Sequence, residues 1–256
     1  MDLKSVTTSL QSGLKVLSST KKRASKRSSL IRGHVPLTEN IDHAKNTKAS
    51  VATQGLLNAR QKVKELVNTI SKECRTKNVK FRDCDFDLQK DLNCIFSFDE
   101  EVDSAKFPAG VSRVTKIFDN PTFYRDGINH MDIKQGADGD CWFLSALAIA
   151  SNIPRIIENL CVARDEEVGV YGFIFFRDNN WLPVIIDDQL YVGINSLESA
   201  PPILKAVFRG KDDMYQKVVG GSNTLHFSKC RDPNETWLPL LEKAFAKANG
   251  DYKYSF

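Results

Sequence analysis

The feature that most constrains the fold is a glycine-punctuated polar turn that leads into a cysteine and then an apolar run. The turn occupies residues 135–140, Cys141 follows it, and residues 142–151 are rich in alanine and leucine. A run of this length and composition predicts a buried helix that ends before Pro154. The sequence therefore places Cys141 in, or just before, the first turn of a helix.

A helix start changes the chemistry of a thiol. Unpaired N–H groups and the positive end of the helix dipole favour an anion there, and cysteine pKa values fall from about 8.5 to about 3.5–7.5 at such positions. Cys141 is therefore predicted to be a nucleophilic thiolate, with burial as a small hydrophobic side chain as the alternative. Gln135 is predicted to help by donating its amide N–H to a developing oxyanion, alongside the backbone N–H of Cys141; such a donor is worth roughly 3–4 kcal/mol in acyl transfer.

Residues 132–144 resemble the nucleophile motif of calpain-family cysteine proteases, whose papain-like core has two halves. Three further blocks, at residues 118–123, 181–188 and 234–247, are similar to calpain sequences and follow in the family's order. The resemblance covers about residues 81–254. It implies a calcium-dependent cysteine endopeptidase that cleaves proteins in the cytoplasm. The implied fold is α+β: the first half of a papain-like core, with the nucleophile helix and a small antiparallel sheet.

Composition divides the chain into three parts. Residues 1–60 hold eleven of the 36 Lys and Arg but three of the 32 Asp and Glu. Residues 1–50 are predicted to form a disordered basic tail, because a segment so poor in apolar residues cannot offset its ordering entropy. Residues 51–78 are predicted to form an amphipathic helix and linker, and residues 79–256 the calpain-like half-domain. The tail could meet an anionic membrane surface or another acidic partner, or stay solvated, and no specific nucleic acid is predicted.

Other functional classes are disfavoured by the sequence. No apolar run reaches the roughly 18 residues that a membrane helix needs. The six cysteines form no C-x-x-C pair, which fits a reducing, intracellular compartment.

Hydrophobic patterns beyond the cysteine helix predict a coarse secondary structure. The predicted elements are strands at 172–176 and 181–186 joined by a turn at 177–180, a surface loop at 199–222, a short strand at 225–227 and a helix at 235–248 that Gly250 ends. Asp187 and Asp188 at a strand end are predicted to be turn-forming acids rather than a catalytic pair.

The calpain resemblance also implies a calcium site. Its ligands would be the carboxylates of Asp132 and Glu235 and the backbone carbonyls of Arg125 and Gly127, and calcium prefers such hard oxygen ligands. The alternative is that Asp132 caps the motif turn while Glu235 favours a helix N-terminus through the dipole. The cation of Arg125 is expected to weaken the site, because calpains usually have an uncharged residue there.

A cysteine protease needs a base for the thiol proton and a group that orients the base. The four histidines are poor candidates: His34 and His43 lie in the tail, His130 lies in the loop before the motif, and His226 is predicted on a strand. In calpains the base comes from the second half of the core, so this chain alone is expected to be inactive. Two other functions stay open: an OTU-type deubiquitinase, whose nucleophile motif is similar, and a non-catalytic calpain-like scaffold.

Overall fold

The computed structural model describes residues 48–95, 108–125, 128, 132–135, 141–153, 155–193, 202–210, 214 and 220–252. For residues 48–52, 141 and 204 it describes the backbone alone. Residues 1–47 lie outside the described part, so the disorder of the basic tail and its acidic partner stay predictions.

Five α-helices, two 3₁₀ helices (Leu92–Cys94 and Gly221–Thr224) and seven strands make up the regular structure of the described residues. The helices are α1 (Lys48–Lys77), α2 (Val114–Ile117), α3 (Cys141–Ala150), α4 (Pro202–Val207) and α5 (Trp237–Asn249). The strands are β1 (Gly110–Arg113), β2 (Ile133–Lys134), β3 (Cys161–Asp165), β4 (Val170–Arg177), β5 (Asn180–Asp187), β6 (Gln189–Val192) and β7 (Lys229–Cys230). They form three antiparallel sheets, β1–β6, β2–β7 and β3–β4–β5, so the α+β prediction is confirmed. None of the described helices is long and apolar enough to span a membrane.

The β4–β5 hairpin forms as the sequence predicts. Its strands pair from Val170 opposite Asp187 to Arg177 opposite Asn180. Asp178 and Asn179 form the two-residue turn with φ angles of 49° and 64°. Positive φ at both positions is typical of a type I′ turn, and aspartate and asparagine tolerate that backbone better than most residues do.

Helix α1 covers one face of the β3–β4–β5 sheet. Its apolar residues recur every three or four positions and are buried: Leu56, Ala59, Val63, Val67 and Cys74. Gly172 in β4 lets the helix approach, because a Cβ there would lie 2.4 Å from Cγ1 of Val63. The predicted amphipathic helix is therefore real, and it is a layer of the core.

The opposite face of the sheet packs against aromatic side chains from several elements. Phe245 of α5 stacks on Phe143 of α3 with ring centroids 4.6 Å apart, and it meets Phe175 of β4 edge-on. Helix α5 begins at Trp237 with Pro239 in its first turn, where proline is tolerated, and Gly250 follows its last residue at a φ of 113°.

Helix α3 differs from its prediction in burial. Phe143, Leu144 and Leu147 are buried, but Ser145 is exposed and Ile149 is 73% exposed. Only one face of this helix packs against the described core, so the expectation of a fully buried helix is wrong.

Two further predictions need correction. Within residues 199–222, predicted as a surface loop, Pro202–Val207 is helical and Gly221–Thr224 begins a 3₁₀ turn. Of the strand predicted at 225–227, Leu225 forms only an isolated antiparallel bridge with Val192, and the regular strand lies at Lys229–Cys230. Phe227 packs in an aromatic cluster, stacked 4.3 Å from Tyr252, rather than in a ladder.

Candidate active site

The candidate nucleophile lies where the sequence predicts it along the chain. Cys141 is the first residue of the ten-residue helix α3. The N–H groups of a first helical turn have no partner within the helix, so they favour a thiolate at this position. The Cys141 side chain and residues 136–140 lie outside the described residues, so its ionisation stays a prediction.

Gln135 directly follows strand β2, and the pairing of β2 with β7 fixes its position. Strand β2 pairs with β7, with Ile133 opposite Cys230 and Lys134 opposite Lys229. The Gln135 side chain is exposed at the end of this pairing. Its predicted donation to an oxyanion beside Cys141 depends on the undescribed turn and is not tested.

The same sheet links the predicted calcium ligands. The Arg231 N–H donates to the backbone carbonyl of Asp132 at 2.8 Å. Beyond β7 the chain forms an isolated parallel bridge between Glu235 and Thr122. The Trp237 N–H donates to the carbonyl of Phe123 at 3.0 Å. These bonds hold the segment before Arg125 against the start of α5.

Three of the four predicted ligands lie in the described part, and two of them are in direct contact. The Arg125 backbone N–H donates to Oε1 of Glu235 at 2.9 Å. Glu235 is buried, and Asp132 is partly buried. Gly127 lies outside the described residues. The Arg125 guanidinium lies 3.3 Å from Oδ2 of Asp232, a carboxylate that the sequence analysis did not select.

The surroundings of Glu235 raise the pKa of its carboxyl. Burial raises the pKa of the Glu235 carboxyl, and the nearby carboxylates of Asp132 and Asp232 raise it further. The hydrogen bond from the Arg125 N–H lowers it without cancelling these effects.

Comparison with known proteins identifies the family. A profile described as calpain family cysteine protease matches residues 81–255. The chain belongs to the calpain family. It is 32% identical to a protein named calpain from Schistosoma mansoni over 73% of this chain and 21% of that protein.

Two mammalian calpains give similar alignments. Calpain-8 of Mus musculus is 29% identical over 81% of this chain and 26% of its own length. Calpain-9 of Homo sapiens is 30% identical over 71% of this chain and 22% of its own length. The calpain-family chain thus aligns with only about a fifth to a quarter of these relatives. The family match supports the calpain resemblance over the OTU-type alternative.

The paired aspartates of this calpain-family chain have a structural role that their prediction underestimates. Asp187 is buried and accepts from the ammonium of Lys243 and the N–H groups of Asp83 and Gln189. Asp188 is buried and paired with the Arg113 guanidinium. Each therefore belongs to a buried ion pair as well as ending a strand.

The described histidine is packed as a core residue. His226 is 9% exposed, and its ring meets Phe227 edge-on with centroids 4.9 Å apart. Its backbone N–H donates to the carbonyl of Tyr191 at 3.1 Å. His130 lies outside the described residues.

Sequence analysis missed Arg164. Its guanidinium lies 4.6 Å from the ring centroid of Phe123 and 5.4 Å from that of Tyr124, and its Nε donates to Glu166 at 2.8 Å. These contacts attach β3 to the residues just before Arg125. The alternation of side chains along β3 does not predict these contacts, because Phe123 and Tyr124 are distant from β3 in sequence.

Proposed function

We propose that the chain carries the nucleophile half of a calcium-dependent cysteine endopeptidase that acts on proteins in the cytoplasm. The observation that carries the proposal is Cys141 as the first residue of α3, within a calpain-family match over residues 81–255. The five cysteines found free in the described part, Cys74, Cys84, Cys94, Cys161 and Cys230, agree with a reducing compartment.

In the proposed reaction, the Cys141 thiolate forms a C–S bond to a peptide carbonyl carbon. The negative charge that develops on the carbonyl oxygen is stabilised by the Gln135 amide N–H and the Cys141 backbone N–H. The general base, which has taken the proton of the Cys141 thiol, gives that proton to the departing nitrogen as the C–N bond breaks, so the amine leaves and a thioester remains on Cys141. Water hydrolyses the thioester and releases the thiolate.

No histidine of the described residues is placed to act as the base. The only histidine in the described residues, His226, is buried against Phe227. We therefore propose that the 256-residue chain does not turn over peptides alone. Efficient casein cleavage by the purified chain would contradict this.

The predicted calcium ligands fit the structure in charge and donor type. Glu235 is buried, and its carboxylate and that of Asp132 are hard oxygen donors of the kind that calcium prefers. No three His, Cys, Asp or Glu side chains of the described residues are arranged to hold a metal by themselves. Calcium would therefore need the backbone carbonyls of Arg125 and Gly127, with Asp132 and Glu235. It would supply charge neutralisation and order, with no part in bond making.

The nucleophile is tested by alkylation. At pH 6 iodoacetamide should modify Cys141 about tenfold faster than an ordinary thiol, because a helix-start thiolate persists where a thiol of pKa about 8.5 is protonated. Peptide mapping by mass spectrometry measures the rate. Cys141→Ser should remove the fast phase, and Cys84→Ser, which changes an exposed cysteine, should keep it. An ordinary pH profile at Cys141 would favour the scaffold alternative.

Calcium binding is tested by calorimetry on the full chain. Asp132→Ala and Glu235→Gln should each weaken binding by roughly tenfold or more, because each removes a charged oxygen ligand. The matched control is Asp178→Asn, whose side chain is 87% exposed in the hairpin turn. Unchanged affinity in Glu235→Gln would remove that residue from the site.

A further inference from the structure

An ion pair lies beside the proposed calcium ligands. The Arg125 backbone N–H donates to Glu235, while its guanidinium Nη1 lies 3.3 Å from Oδ2 of Asp232. Arg125 thus contacts two carboxylates by two different groups. Its side chain is 47% exposed and that of Asp232 is 32% exposed, so water reaches the pair.

The position of Asp232 is fixed by the turn that leads to Glu235. Its Oδ1 accepts from the Asn234 N–H at 2.8 Å, and its backbone carbonyl accepts from the Glu235 N–H at 3.3 Å. One carboxylate oxygen therefore holds the turn while the other faces Arg125. Asp232 cannot move far without disturbing Glu235.

Asp232 also acts on Glu235 through its charge. Its carboxylate belongs to the turn that leads to the buried Glu235 carboxylate, three residues further on, so the two negative charges lie at the same end of α5. A negative charge that repels a carboxylate attracts a calcium ion at the same place. The Arg125 guanidinium opposes that attraction, because it brings a positive charge to Asp232.

We propose that the ion pair between the Arg125 and Asp232 side chains, neither of which is a calcium ligand, sets the calcium affinity of this site through its charges. The proposal rests on the calcium site proposed above. Arg125 weakens binding by offsetting the field of Asp232, and Asp232 strengthens binding without touching the metal. The two side chains therefore have opposite effects that cancel when both charges are removed.

Three variants of the full chain test the cancellation, with calcium affinity measured by calorimetry and by terbium luminescence. Arg125→Met should tighten binding about tenfold, and Asp232→Asn should weaken it about tenfold, as expected for one partly solvated charge near a divalent ion. The double variant should return close to the wild-type affinity. Each single effect should shrink in 0.5 M salt, because the pair is exposed to solvent.

Two controls separate this inference from the proposed function. Arg177→Met removes another exposed, ion-paired arginine and should leave the affinity unchanged. Thermal unfolding in EDTA should show similar midpoints for all variants, so that a change in affinity is not a folding defect. If wild type binds no calcium, or Glu235→Gln binds normally, the calcium site itself is wrong.

Different results would refute the role of the Arg125–Asp232 pair. If wild type binds calcium and Glu235→Gln does not, an Arg125→Met variant with unchanged affinity would refute the pair as a regulator. A weaker Arg125→Met would also overturn it, since Arg125 would then serve by positioning its own carbonyl.

Discussion

Lys243 is a charged residue whose side chain is fully buried, which is rare for a lysine. Its side chain is completely buried in α5, and its ammonium donates to Asp187 and to the carbonyl of Gln189 at 2.8 Å. Three strong acceptors, including the Asp187 carbonyl at 3.2 Å, match the three ammonium protons. A buried charge is tolerated here because every proton has an acceptor.

Lys243→Met should destabilise the fold by about 3–5 kcal/mol, because it leaves the buried Asp187 carboxylate unpaired. Urea unfolding measures the loss. The double variant Lys243→Met with Asp187→Asn should recover part of it by removing the unpaired charge. The exposed Lys72→Met is the control, and a loss below about 1 kcal/mol in Lys243→Met would contradict the role of the pair.

At the scale of elements, helix α1 packs closely against the backbone of strand β4. This packing depends on Gly172, where an added Cβ would lie 2.4 Å from Val63 and 2.9 Å from Val67. Gly172→Ala should therefore cost about 1–3 kcal/mol through overpacking. Adding Val63→Ala should restore part of the loss, which denaturant unfolding measures.

Gly110→Ala is the matched control for Gly172→Ala. A Cβ at Gly110 has no atom within 4 Å. It should change the unfolding free energy by less than about 0.5 kcal/mol. Equal losses at both glycines would indicate a general cost of replacing strand glycines and not a clash with α1.

The end of α1 is attached to the β3–β4 hairpin by Arg75, which donates to Asp165 and Glu167. Partial burial raises the pKa of Asp165, but the hydrogen bonds from Arg75 and from the Val168 N–H outweigh it and hold the pKa below its usual value. A lowered folded pKa stabilises the protein above the unfolded value and loses that contribution as the pH falls through the folded value.

Arg75→Met should therefore lower the unfolding free energy by a constant amount above about pH 5, with the difference from wild type shrinking below pH 4. Urea unfolding from pH 7 to pH 3 measures it. A difference that grows in acid would contradict the assignment, because protonated Asp165 no longer needs the guanidinium.

At the scale of the molecule, the predictable elements are those whose signals are local. The β4–β5 hairpin follows from its aromatic and β-branched runs around Asp178 and Asn179, and the end of α5 follows from Gly250. The two-residue pairing of β2 with β7 has no periodicity to detect. Lys243 resembles a solvated helix residue in sequence, because its acceptors come from distant strands.

The candidate site also has one part that the local sequence predicts and another that depends on the fold. Cys141 at a helix start could be predicted from the polar turn and the apolar run beside it. Arg125 and Glu235, 110 residues apart, were linked in the sequence only as calcium ligands that the calpain resemblance implies, and the fold brings them into contact. Asp232 was missed, because an acid in a turn before a helix is ordinary in sequence, and only the fold brings it to Arg125.

The layer that α1 forms over the β3–β4–β5 sheet has a practical consequence for the design of fragments of this protein. The calpain-family match starts at residue 81, beyond the last residue of the helix. A fragment cut at that boundary would expose Gly172, Trp181 and their sheet face to water, and we expect it to aggregate on gel filtration. A fragment from Lys48 keeps the covering helix and should elute as a monodisperse species. A fragment that starts where the family match starts would thus lose part of the hydrophobic core.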